Sequence, residues 1–178
     1  MNGAKGQRLV FPGLAGFYAT WGEIAYALMR VVIGYILFMH GWQKFKTGIT
    51  GVAGFMSKSG LMPGELFAGA AIFLETVGAL CIIVGLFTRF FAAALAIEMA
   101  IAFLAVHMSK GFAANQGGFE YVLLLGIVLL AIAIRGGGPY SLDRMIGKEL
   151  SCGGSEVRII LAATPRCGLL NQSHTRIK

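Results

Sequence analysis

The chain has 178 residues, 57% of them hydrophobic and only 13% charged, whereas soluble domains are about half apolar and about a quarter charged. One domain is the natural count at this length, and a soluble one is excluded by the shortage of charge. The formal net charge of +7 comes from basic residues scattered singly between apolar runs, which suits membrane lipid headgroups and topology control and argues against nucleic acid as a partner.

Taken in chain order, residues 1–22 read as an N-terminal cytoplasmic or interfacial segment. Lys5 and Arg8 are followed by the glycine-interrupted FPGLAGFYATWGE rather than a continuous apolar core. That is not the pattern of a cleaved signal, so the first apolar run is expected to stay and serve as its own insertion signal.

A helix crossing about 30 Å of hydrocarbon needs roughly 20 residues. Four runs qualify: Glu23 to Phe45, Glu65 to Phe87, Phe90 to Met108, and a shorter one from Phe119 to Arg135. The expected fold is therefore all-α, an integral membrane bundle of four transmembrane helices occupying residues 23–148. Between the first two runs, Val52, Phe55 and Met56 can share one face of a short interfacial helix, and an ordinary loop reads equally well there. The turn GLFTRF at residues 85–90 is tight, which makes the second and third helices antiparallel neighbours.

After the fourth run, Gly136-Gly137-Gly138-Pro139 stops the helix. Residues 149–178 change composition and are expected to be a disordered tail. Cys152 and Cys167 lie in it and Cys81 inside the second run; no CxxC or other metal-ligand spacing occurs. No metal site is expected.

Four spans place both termini on one side. Lys5, Arg8, Arg89, Arg135, Arg144 and Lys148 fall on that side, six in all, against Lys44, Lys46, Lys58 and Lys110, four in all. The positive-inside rule then puts both termini in the cytoplasm of a multi-pass protein of the bacterial inner (plasma) membrane.

Three charges interrupt the spans. At 1.5 Å per residue, Arg30 lies about 9–10 Å, Glu98 about 12 Å and Glu75 about 18 Å in from the same side. Each costs about 2.5–3.5 kcal/mol if left alone, so pairing of Arg30 with Glu98 or Glu75 is expected. Gly34, Gly41, Ala68, Ala71, Gly78, Ala79, Ala94, Ala102 and Ala105 surround these charges and should let helices approach closely. The cluster is either a clamp that sets the register of the bundle or a proton or substrate site.

At the other end of the spans, His40 and Lys44 share the arc of Arg30 on the first helix. His107 and Glu120 lie at the same level, with Glu120 at a helix start that favours negative charge. His40, Lys44, His107 and Glu120 can ring one polar pocket, with Trp42 adjacent, or stand as four independent interfacial residues. Lys44 alone reads as a snorkelling anchor. Haem ligation by the two histidines is disfavoured, because His107 projects about 180° from Glu98 by helix periodicity.

From about Ala25 to Arg144 the chain resembles the DoxX family of small four-helix membrane proteins. The resemblance is carried by R-x(3)-G-x(5)-H-G-x(2)-K-F from Arg30 to Phe45, E-x(2)-G-x(6)-GLFTR from Glu75 to Arg89, GGFEY from Gly117 to Tyr121, and GGGPYSLD from Gly136 to Asp143. It implies quinone-linked oxidation or redox homeostasis beside soluble enzymes, and assigns no catalytic residue. A redox-associated subunit holding a quinone near His40 and Glu120 is the leading expectation, with His40, Lys44 and Trp42 as hydrogen-bond donors to its carbonyls. A structural subunit docking a larger membrane complex, and a small transporter or proton pathway, are the alternatives.

Overall fold

The computed structural model describes residues 12–147, and no strand occurs among them. Four longer helices and two short ones follow in order: α1 (Ala15–Thr47), α2 (Ile49–Lys58), α3 (Gly64–Val84), α4 (Thr88–Lys110), α5 (Glu120–Arg135) and α6 (Leu142–Ile146). Two of them widen by one turn of π-helix, α3 at Leu74–Gly78 and α4 at Phe103–His107. The segment between Lys46 and Gly64, read two ways from sequence, forms a helix over Ile49–Lys58, with Val52 and Ala53 buried and Phe55 exposed.

Among the described residues, three helices are long and apolar enough to cross a membrane: Gly16–Thr47, Gly64–Val84 and Thr88–Lys110, of 32, 21 and 23 residues. The fourth expected span forms as a helix, but its 16 residues rise only about 24 Å, short of the hydrocarbon thickness. It packs along α4, as α1 packs along α3. Leu28, Val32, Phe73, Phe90, Ile97, Leu104, Leu124 and Ile134 are all at least half exposed on the outside of the bundle. Apolar surface on that scale is stable only against lipid or protein.

The core is built from Leu37, Ile82, Leu95, Leu129 and Ile132, each almost fully buried. Small residues set the helix spacing. A Cβ on Gly41 would stand 2.6 Å from the carbonyl carbon of Glu75, and one on Gly34 would stand 3.0 Å from the carbonyl oxygen of Ala79. The expectation of small inward faces holds on α1 and α3, where Ala68, Ala71 and Ala79 are buried. On α4 the buried stripe is Thr88, Ala92, Leu95 and Met99, and Ala94 and Ala102 line a cavity instead.

One end of the bundle is locked by polar contacts between segments far apart in sequence. Asp143 accepts from the backbone N–H of Phe87 (2.7 Å), the N–H of Thr88 (2.9 Å) and the hydroxyl of Thr88 (2.8 Å). Its own N–H donates to the carbonyl of Gly85 at 2.9 Å. Gly85 has φ +76°, and a side chain there would collide with the guanidinium of Arg30 and with Ser141. Glycine is therefore required both by backbone sign and by space. Tyr26 donates its hydroxyl to the carbonyl of Gly136 at 2.5 Å, under the guanidinium of Arg135, whose carbon lies 3.9 Å from the ring centre.

The expectations placed on Lys5, Arg8, Lys148, Cys152, Cys167 and the tail fall outside the described residues. Cys81 is a free thiol, half-buried.

Candidate functional site

Arg30 is 2% exposed, as the depth argument requires, but its partners are not carboxylates. One guanidinium nitrogen donates to the carbonyl of Ile82 at 2.7 Å and another to that of Tyr140 at 2.6 Å. No ion pair joins it to Glu75 or Glu98 among the described residues, so the expected Arg30 pairing is corrected. The end of α3 leaves carbonyls without intrahelical donors, and the loop at Tyr140 brings another to the same place. Arg30 satisfies both and closes the locked end of the bundle.

Glu75 is 3% exposed and pairs instead with Lys44, whose Nζ lies 2.7 Å from Oε1. Lys44 is thus an ion-pair partner and not a free snorkelling anchor. The close approach at Gly41 explains the pairing. With α1 pressed onto the π-turn of α3 there, the side chain one turn further along α1 reaches the carboxylate. Arg30, eleven residues before Gly41, lies about 16 Å away along the axis. The cluster expected from sequence therefore divides, Arg30 to one end and Glu75 and Glu98 to the other.

At that second end lies a cavity of about 440 Å³ bounded by α1 to α5. Its walls are mainly apolar, including Leu37, Met56, Ala71, Leu74, Ala102 and Leu125. The polar residues reaching it are His40, Lys44, Glu75, Glu98, His107, Lys110 and Tyr121. Size and lining match a small-molecule site: apolar walls with a few convergent polar groups. His40, Phe55 and Ile97 line it and are also exposed, so it opens to the surface.

The ring expected from His40, Lys44, His107 and Glu120 is met by three of its four members. Glu120 does not line the cavity; its Oε2 accepts from the backbone N–H of Ala114 at 3.3 Å, folding the 114–120 loop onto the start of α5. Trp42 is also outside, stacked between Phe38 and Phe45 with Lys46 over its ring. His107 enters the cavity alongside Glu98 because the π-turn at Phe103–His107 slows the rotation of the helix between them. The periodicity argument that set haem aside does not hold for this helix. Among the described residues, no three His, Cys, Asp or Glu side chains are arranged to hold a metal ion.

Both histidines are oriented by backbone carbonyls: His40 Nδ1 lies 2.9 Å from the oxygen of Ile36, and His107 Nδ1 lies 2.7 Å from that of Gly117. The ring of His40 also lies 6.1 Å from that of Tyr121, tying α1 to α5. Tyr121, Lys110 and the apolar cover from α2 were not singled out as site residues from sequence. Tyr121 follows Glu120 in GGFEY, and only the packing of α5 shows which of the two turns inward. Oε2 of Glu75 and Oε2 of Glu98 are buried without a hydrogen-bond partner.

The family model described as DoxX matches residues 25–108. An uncharacterized protein of Haemophilus influenzae is 34% identical over 132 residues, covering 69% of this chain and 91% of that one. A Bacillus subtilis protein named "Putative oxidoreductase CatD" is 34% identical over 110 residues, 62% of this chain and 79% of the relative. No solved structure matches the chain at a significant level.

Proposed function

Because the chain belongs to the DoxX family of membrane proteins, we propose that it is a redox-associated membrane protein whose cavity between α1 and α5 holds a quinone-type ring. The observation that carries this reading is the mainly apolar chamber of about 440 Å³ whose lining includes His40, Lys44, Glu75, Glu98, His107 and Tyr121. A quinone ring with part of its apolar tail fits such a site. The oxidoreductase in the name of the Bacillus subtilis relative points the same way.

In this reading α5 is the fourth span, short and held by α4, with the bilayer thinned locally around it. The locked end carrying Arg89, Arg135 and Arg144 faces the cytoplasm of a bacterial inner membrane. The cavity then opens toward the outer leaflet. Soluble or membrane redox enzymes are the partners in this scheme.

Purification in mild detergent, followed by extraction and mass spectrometry of bound lipids, tests it. Co-purifying quinone, lost when Ala102→Trp fills the cavity of an otherwise folded protein, is the expected result. Absence of quinone together with failure to bind added decylubiquinone would remove the proposal. A second reading, a structural subunit of a larger complex, is favoured by Arg30, whose two hydrogen bonds serve backbone carbonyls alone. Intact co-purification with a multi-subunit complex that tolerates Ala102→Trp would select it.

A further inference from the structure

The locked end of the bundle, remote from the cavity, carries more positive charge than its own acids answer. Among the described residues, Arg30, Arg89, Arg135 and Arg144 stand there against Glu23 and Asp143, an excess of two charges. Both acids are already engaged. Glu23 pairs with Arg135 at 2.8 Å, and the carboxylate of Asp143 accepts from the N–H groups of Phe87 and Thr88 and from the Thr88 hydroxyl. Among the described residues, no carboxylate lies within ion-pair distance of Arg30, Arg89 or Arg144. Arg30 is buried and spends its fork on carbonyls, so it contributes field rather than contact.

Arg89 is the accessible one. It is half-buried, and its Nη2 makes one long contact, 3.4 Å to the carbonyl of Arg135. Its Nε is buried without a partner, so an incoming acceptor must meet the two Nη atoms end-on. The Arg135 guanidinium, lying 3.9 Å from the ring centre of Tyr26, is itself half-exposed. Apolar surface begins directly beside both: Phe87, Phe90 and Ile134 are each more than half exposed. In a chain that crosses a bilayer, this sets the arginine heads where hydrocarbon gives way to headgroups. Ala93 and Ala100 continue the line of Arg89 along α4. No bulky side chain on that line obstructs an acyl chain descending from the guanidinium.

We propose that Arg89, with Arg135 beside it, is a binding site for the phosphate of an anionic phospholipid whose acyl chain lies along α4. The planar guanidinium fork takes two phosphate oxygens at once. The net negative charge of a phosphatidylglycerol-type headgroup offsets the excess at this end. A zwitterionic headgroup brings its own cation and offsets none. Inorganic phosphate offers the same oxygens, but has nothing to set against Phe90 and the alanine line. The site is independent of whatever occupies the cavity.

The experiment titrates the detergent-purified full chain with dioctanoyl phosphatidylglycerol, dioctanoyl phosphatidylcholine and inorganic phosphate, following melting temperature and, for the lipids, native mass spectrometry. Phosphatidylglycerol is expected to bind more tightly than phosphatidylcholine. Arg89→Gln should weaken it roughly fivefold, the worth of one arginine beside anionic headgroups, and leave phosphatidylcholine unchanged. Lys58→Gln, at the opposite end of the bundle, should alter neither. Equal binding of the two lipids overturns the proposal. So does a loss in Lys58→Gln as large as in Arg89→Gln, which would mean diffuse attraction without a site. Inorganic phosphate that raises the melting temperature as much as phosphatidylglycerol overturns the lipid assignment and leaves a free-anion site. If Arg89→Gln does not fold, hydrogen exchange on the unaltered protein decides. Phosphatidylglycerol, and not phosphatidylcholine, should then slow amides in 86–91 and 134–138, and protection elsewhere or nowhere overturns the site.

Discussion

Lys44 on α1 and Glu75 on the π-turn of α3 form an ion pair at 2.7 Å inside the bundle, beside the point where Gly41 lets the two helices touch backbone to backbone. The side chain of Glu75 is 4% exposed and that of Lys44 is 30% exposed. The pair is thus desolvated mainly on the acidic side, which is the side that suffers if its partner is removed.

Lys44→Met should destabilise the protein by about 2–3 kcal/mol, somewhat below the range for a fully buried pair because Lys44 keeps partial contact with its surroundings. The double change Lys44→Met, Glu75→Leu should cost less than Lys44→Met alone, since no uncompensated charge is left. Unfolding in detergent, followed by circular dichroism across the double-mutant cycle, measures this; additive losses would show that the pair is not coupled.

Arg30→Lys should cost about 2–3 kcal/mol, because a single ammonium cannot span the carbonyls of Ile82 and Tyr140 that the guanidinium fork bridges. The effect should add to that of Glu98→Gln within about 0.5 kcal/mol, as expected of sites without shared partners. A coupling well above that would restore the Arg30–Glu98 pair expected from sequence.

Asp143→Ala removes three hydrogen bonds that cap the start of α4 and should cost about 2 kcal/mol, the upper end for a helix N-cap. Asp143→Asn, which keeps a side-chain oxygen acceptor, should recover part of the loss. Limited proteolysis gives a local readout: cleavage in the 136–147 segment should rise in the alanine variant before the bundle melts.

Gly41→Ala places a methyl group within 2.6–2.8 Å of Glu75 backbone and Cβ atoms, so α1 and α3 must separate or shift. A loss of about 1–3 kcal/mol is expected, as for overpacked cores. Weaker binding of any cavity ligand should accompany it, because the Lys44–Glu75 contact depends on that approach. Gly54→Ala, where a Cβ meets no atom within 4 Å, is the matched control: it should not destabilise the helix and should leave ligand binding unchanged.

Reporter fusions after Lys110 and after Gly147 should lie on opposite sides of the membrane if α5 crosses it. The same side for both would leave α5 buried in the bundle without spanning, consistent with its 16 residues.

The helical class, the positions of the apolar runs, the tight turn at Gly85 and the stop after Arg135 were legible in the chain itself. Each follows from local periodicity, run length and the conformations open to glycine and proline, and family membership was legible in the spaced motifs. The partners of the buried charges were not. Depth counted along each helix put Arg30 level with Glu98 and Glu75, but the carbonyl of Tyr140 that Arg30 holds reaches it only after the chain has turned back from the end of α5. Two π-turns, invisible to a fixed rotation of 100° per residue, set the place of Glu75 against Gly41 and turned His107 into the cavity. Packing of α5 chose Tyr121 over Glu120, and left Trp42 outside. Sequence determines which groups must be satisfied once they are buried; which atoms satisfy them depends on contacts between segments up to 110 residues apart, and those exist only in the assembled bundle.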